Sequence, residues 1–170
     1  MSPSPLWIVL ALVALSRLVE LIHARRNTAR LLDQGGIEHG RAHYPLIVAL
    51  HAGWLAVLAV IIPPDTPPDR VWLSAFIALQ AARVWVIVSL GPYWTTRVIS
   101  LPGAPLIRRG PYRFLRHPNY LVVVGEIAVL PLAFGAWETA LVFSALNGLI
   151  LMHRIRVEQA ALAPRAPITD

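Results

Sequence analysis

Arg108-Arg109-Gly110-Pro111-Tyr112-Arg113-Phe114-Leu115-Arg116-His117-Pro118-Asn119-Tyr120 is the stretch around which the chain is organised. Its thirteen residues hold four arginines, one histidine, two tyrosines and two prolines, and an apolar run begins at once at Leu121. Cations, aromatics and turn formers set between hydrophobic runs predict a segment at a membrane surface, its side chains turned back over the bilayer.

The runs on either side support that reading. Hydrophobic residues make up 56% of the 170 and charged residues only 14%, whereas a soluble domain carries about 25% charged residues. The expected fold is therefore an all-α integral membrane protein, one domain over residues 1–170, with five transmembrane helices at about 3–22, 44–62, 71–90, 120–134 and 138–153. Twenty helical residues reach about 30 Å, the thickness of one hydrocarbon core. The first run reads as a mature helix, because its charges follow the apolar residues where a signal peptide has them in front. Span four is short and is interrupted by Glu126 and Pro131, the latter tolerable where a neighbour satisfies the freed carbonyl. His23 to His43 reads as a surface helix stopped by Gly35-Gly36. Four prolines in Pro63 to Arg70 make a stiff connection. The last helix is expected to run on past the membrane to about Leu162.

All fifteen basic residues are arginine. They number four, one, five and none in the successive connections, and three after span five. This alternation predicts the N-terminus outside, with the first connection, the region between spans three and four and the C-terminal extension facing the cytoplasm. The net +6 then reports topology, with no nucleic-acid partner expected. The chain has no cysteine, which excludes disulfides, thiolate nucleophiles and Cys-based zinc sites. Its histidines lack ligand spacing, so no metal site is expected.

Polar residues inside the spans form a pattern of their own. His51, Arg83, Glu126 and Asn147 all fall roughly 10 Å below the cytoplasmic interface, counted at ~1.5 Å per residue. Arg83 and Glu126 should face inward and neutralise each other, directly or through Gln80 or Asn147. Two readings follow: a structural clamp between spans three and four, or the floor of a substrate cavity with Glu126 as base. Arg17 and Glu20, three apart, read as a pair neutralised near the interface.

A second stretch with chemical potential is Arg154-Ile155-Arg156-Val157-Glu158-Gln159, where Arg154 and Glu158 share a helix face. Gly110-Pro111-Tyr112-Arg113-x-x-Arg116-His117-Pro118-Asn119-Tyr120, a helical hairpin and then Arg154-x-x-x-Glu158 resemble, in order and spacing, the isoprenylcysteine carboxyl methyltransferase family. The resemblance covers about residues 97–162 and implies an integral membrane enzyme that uses S-adenosylmethionine. It puts cofactor contacts on Arg97, on Ala104, Pro105, Leu106 and Ile107, on Tyr112, on His117, Pro118, Asn119 and Tyr120, and on Glu158, with Arg154 facing the lipid substrate. Gln159 stands where the family often has a second acid. The residue chemistry agrees: a sulfonium calls for aromatic faces or acids, which Tyr112, His117, Tyr120 and Glu158 supply. No Gly-rich strand-turn-helix fingerprint of a soluble dinucleotide site is present.

Arg25-Arg26-Asn27, Gly36-Ile37-Glu38-His39-Gly40 and His43-Tyr44-Pro45 resemble a small bacterial branch of the family, some members of which are similar to O-methyltransferases of long-chain polyketide pyrones and phenols. The resemblance implies a lipophilic acceptor entering from the bilayer of the bacterial inner membrane, a lipid hydroxyl ahead of a prenylcysteine carboxylate. Two alternatives stay open. Sterol-type membrane reductases, which bind NADPH, have a similar Leu-Arg-His-Pro-Asn-Tyr run, and a non-catalytic membrane scaffold would need none of this chemistry.

Overall fold

The structure is a computed structural model that describes residues 4–104 and 106–163. Its main elements are five helices, α1 (Pro5–Asp33), α2 (Tyr44–Ile61), α3 (Arg70–Leu90), α4 (Pro118–Ala133) and α5 (Trp137–Leu162). Two short strands, β1 (Ile37–His39) and β2 (Val98–Ser100), pair antiparallel with Glu38 opposite Ile99. The all-helical expectation omitted this pairing. Three-residue strands carry no readable alternation, and β1 and β2 lie 58 residues apart in sequence.

Helices α1, α2, α3 and α5 are long and apolar enough to cross a membrane. Helix α4 has 16 residues, about 24 Å at ~1.5 Å per residue, and falls short of a ~30 Å core. The expected break after Ile22 is absent, and the helix from Pro5 continues unbroken for 29 residues. The polar residues beyond Ile22 thus extend the helix where a separate surface helix was expected. The position given for Pro3 lies outside the described residues. Helix α1 ends where the sequence said it would: Gly35, at φ +88°, lets the Gly36 N–H reach the Leu31 carbonyl at 2.8 Å. Asp69 starts α3 by accepting from the N–H groups of Val71 and Trp72 at 2.9 and 3.1 Å. Its own N–H closes the end of α4 on the Ala133 carbonyl at 2.7 Å.

An apolar core joins α1, α2, α3 and α4 through Leu6, Leu10, Trp54, Leu58, Phe76 and Ile127. Toward the Arg-rich end of the helices the packing becomes ionic. Arg83 donates to Glu20 through Nε at 2.7 Å and Nη2 at 2.6 Å, and to Glu126 through Nη1 at 3.0 Å. Arg17 donates to Glu126 at 2.8 Å and to both oxygens of Glu20, and Gln80 donates to Glu126 at 2.7 Å. Two guanidinium groups and two carboxylates therefore cancel inside the helix bundle. Burying any one alone would cost several kcal/mol. Arg17 and Glu20 do pair, as half of this interior cluster, with side chains 18% and 14% exposed. Asn147 is buried outside the cluster, and His51 bonds its own helix at the Ile47 carbonyl. The expected layer of four is thus a tied pair with two bystanders.

Candidate active site

Between α3 and α4 the chain leaves the bundle and returns, and the return is held by specific contacts. The Asn27 side chain on α1 donates to the carbonyls of Gly91 at 3.1 Å and Trp94 at 2.8 Å. Arg109 Nε donates to the Ser89 carbonyl at 2.6 Å, fixing the start of the Arg-rich stretch to the end of α3. Gly110 follows at φ +56°, where a side chain would collide with Ser89 and press tightly on Trp85. Pro111 is buried, which turns Tyr112 inward and leaves Arg113, Phe114, Leu115 and Arg116 outside.

This segment, β2 and the end of α5 enclose a cavity of about 640 Å³. Small-molecule sites commonly occupy ~300–1,000 Å³. Of the residues expected to hold cofactor or substrate, Arg97, Leu106, Ile107, Tyr112, His117, Asn119, Tyr120, Arg154 and Glu158 line it. Ala104 and Pro118 do not line it, although Pro118 stands between His117 and Asn119, which do, and Pro105 lies outside the described residues.

The polar centre of the cavity is a linked set from α4 and α5. Tyr120 donates its hydroxyl to Glu158 and accepts from Arg154 Nε at 2.9 Å. Arg154 also donates through Nη2 to the Thr96 carbonyl at 2.8 Å and is 8% exposed. The His117 and Tyr120 rings stack at 5.4 Å and 19°, and His117 Nδ1 lies 3.6 Å from Glu158. Burial pushes the Tyr112 phenol well above its usual range, and the nearby Glu158 carboxylate adds to the effect. Asn119 Oδ1 is buried without a donor among the described residues, an acceptor available to a ligand N–H or O–H.

Glu126 does not join this set. It is absent from the cavity lining among the described residues, and two guanidinium groups hold its carboxylate in the interior cluster. The clamp reading of Arg83 and Glu126 fits the geometry, and the reading of Glu126 as a base beside the acceptor does not. Sequence reasoning also missed Glu38. From β1 it accepts two bonds from Arg97 Nη1, at 2.9 and 3.1 Å, while the Arg97 guanidinium lies 5.1 Å from the Tyr44 ring centre. Glu38 stands out in the sequence only as part of Gly36-Ile37-Glu38-His39-Gly40, and nothing there pairs it with Arg97.

The model of the isoprenylcysteine carboxyl methyltransferase family matches residues 72–164. The chain belongs to that family. It is thus an integral, multi-pass membrane protein of a methyltransferase family. The matched residues contain the whole Tyr112–Glu158 set and leave α1, β1 and α2 outside. Over 160 residues the chain is 37% identical to the uncharacterised protein YpbQ of Bacillus subtilis strain 168, covering 92% of this chain and 95% of that one. An uncharacterised protein of Haemophilus influenzae is 28% identical over 167 residues, 94% of this chain and 96% of the relative. Both likenesses run through the N-terminal helices that the family match omits. No solved structure matches the chain.

Proposed function

We propose that the protein is an S-adenosylmethionine-dependent O-methyltransferase of the bacterial inner membrane. In this reading it has five spans, with α4 as the short fourth, and its cavity faces the cytoplasm, the side on which the arginine-rich connections fall. The observation that carries the proposal is the convergence of Tyr112, His117, Tyr120, Glu158 and the unpartnered Asn119 oxygen on one cavity.

Those residues suit the donor. Aromatic faces and a carboxylate favour a sulfonium or ammonium charge, and Asn119 Oδ1 takes an N–H from the amino group or an O–H from a ribose hydroxyl. Leu106 and Ile107 add an apolar wall with room for an adenine ring. Arg97, on the wall of the same cavity, completes the set of contacts. When bound, S-adenosylmethionine supplies an activated methyl group.

The chain's own part is binding, orientation and exclusion of water. The Arg154 cation, fixed by the Tyr120 hydroxyl and the Thr96 carbonyl, would hold the acceptor oxygen at the cavity wall. No covalent intermediate is needed, which suits a chain without cysteine. The acceptor class we favour is the hydroxyl of a long-chain pyrone or phenol, with a prenylcysteine carboxylate next. Purified protein in nanodiscs, supplied with methyl-labelled donor and either acceptor, tests this. A base-stable methyl ether on the alkylpyrone or alkylphenol is expected. Label found only as a base-labile ester would overturn the choice of a hydroxyl acceptor, and label in neither product would overturn the assignment.

A further inference from the structure

We propose that residues 108–116 are a docking surface for anionic phospholipid headgroups, which hold the rim of the cavity at the membrane surface. This inference rests on the surface itself and is independent of the methyl-transfer reading. Phe114 is 77% exposed and Leu115 45% exposed, side by side between Arg113 and Arg116. The Arg113 guanidinium lies 5.9 Å from the Phe114 ring centre, so cation and aromatic form one projecting tip. Arg17, Arg83 and Arg97 are each paired with a carboxylate. Arg108, Arg113 and Arg116 are exposed and, among the described residues, have no acidic partner.

Chain geometry keeps this tip within reach of the headgroups. Phe114 precedes Pro118, the first residue of α4, by four positions, and four residues reach at most about 14 Å at ~3.3–3.6 Å each. The headgroup zone is roughly 5–8 Å thick on each side of the core. Exposed Leu121 and Val124 continue the apolar surface from the tip onto α4. Topology alone asks for positive charge on this side and gives no reason for Phe114 and Leu115 to stand uncovered between the cations. An interface with anionic headgroups takes both, the ring among the acyl boundaries and the guanidinium groups on phosphates. Arg108, Leu115 and Arg116 also line the cavity, so the lipids that seat the tip seat the rim.

The test is amide hydrogen exchange of the 110–117 backbone in the full-length protein, in nanodiscs of phosphatidylcholine alone and with added phosphatidylglycerol. Anionic lipid should slow exchange at least about fivefold, roughly the worth of one arginine at such a surface, and salt should reverse the effect. The double variant Arg113→Gln, Phe114→Ser should lose the difference. Arg113→Lys with Phe114→Trp should keep it, and unchanged melting of all three shows that folding is intact. Equal exchange in both lipids, or slowing that survives the double variant, overturns the proposal. Slowing by inorganic phosphate or a soluble polyglutamate peptide in neutral discs also overturns it, because the surface would then serve a free anion or an acidic protein.

Discussion

Replacing Glu126 with glutamine removes one negative charge from a cluster that is neutral as folded. Arg17 and Arg83 then face only Glu20, with Arg17 losing its 2.8 Å bond and Arg83 its 3.0 Å bond to a carboxylate. Glu126 is 4% exposed, so little water reaches the surplus charge. Breaking one partner of a buried pair costs about 3–5 kcal/mol, and insertion scales give about 2.5–3.5 kcal/mol for an arginine at mid-membrane depth. We expect Glu126→Gln to lose about 3 kcal/mol. Arg83→Gln should lose a similar amount, since it leaves Glu20 and Glu126 to share the one positive charge of Arg17. The double variant restores neutrality with Arg17 and Glu20 still paired, so its loss should fall short of the sum by about 1–3 kcal/mol. Unfolding in mixed micelles measures all four proteins, and S-adenosylhomocysteine affinity of the folded fraction should stay within a factor of about three, about 0.7 kcal/mol at ~1.4 per tenfold. Additive losses, or a stable Glu126→Gln with impaired ligand binding, would refute the clamp.

Three further outcomes follow from the geometry. Glu38→Gln removes the carboxylate charge opposite Arg97 and should weaken S-adenosylhomocysteine binding about tenfold, roughly 1.4 kcal/mol, while Glu38→Asp recovers part of it; equal affinities would detach β1 from the site. Gly110→Ala, at φ +56° against Ser89 and Trp85, should lower stability by about 1–3 kcal/mol, read as a drop in melting temperature. Tyr112 keeps its proton in the folded state above the ordinary phenol range, so stability is full below about pH 10 and declines as pH rises further and unfolded chains ionise. Tyr112→Phe removes that group, and melting curves from pH 9 to 11 should show a shallower alkaline loss in the variant.

The membrane class and the helices of spanning length were legible because apolar length and arginine alternation are local signals. The residues that meet at the cavity stand out in the sequence because the Arg108–Tyr120 and Arg154–Glu158 stretches are each one short run. Where the reading failed, the missing information was long-range. The polarity that begins after Ile22 marks no boundary of helix α1, whose end is set by Gly35 and Gly36. Glu126 was assigned two roles by depth alone, and only the approach of α1 brings Arg17 and Glu20 to it. Glu38 and Arg97 meet across 59 residues through a pairing of three-residue strands, which leaves no periodic trace.

The central claim is that the cavity binds a methyl donor through Tyr120 and Glu158. Calorimetry of the purified protein with S-adenosylhomocysteine and, separately, with NADPH tests it most directly. The account predicts saturable binding of S-adenosylhomocysteine alone, weakened about 10- to 100-fold by Glu158→Ala, as loss of a charged hydrogen-bonding group worth about 1.5–3 kcal/mol requires. Binding of NADPH without S-adenosylhomocysteine, or an affinity indifferent to Glu158, would contradict it.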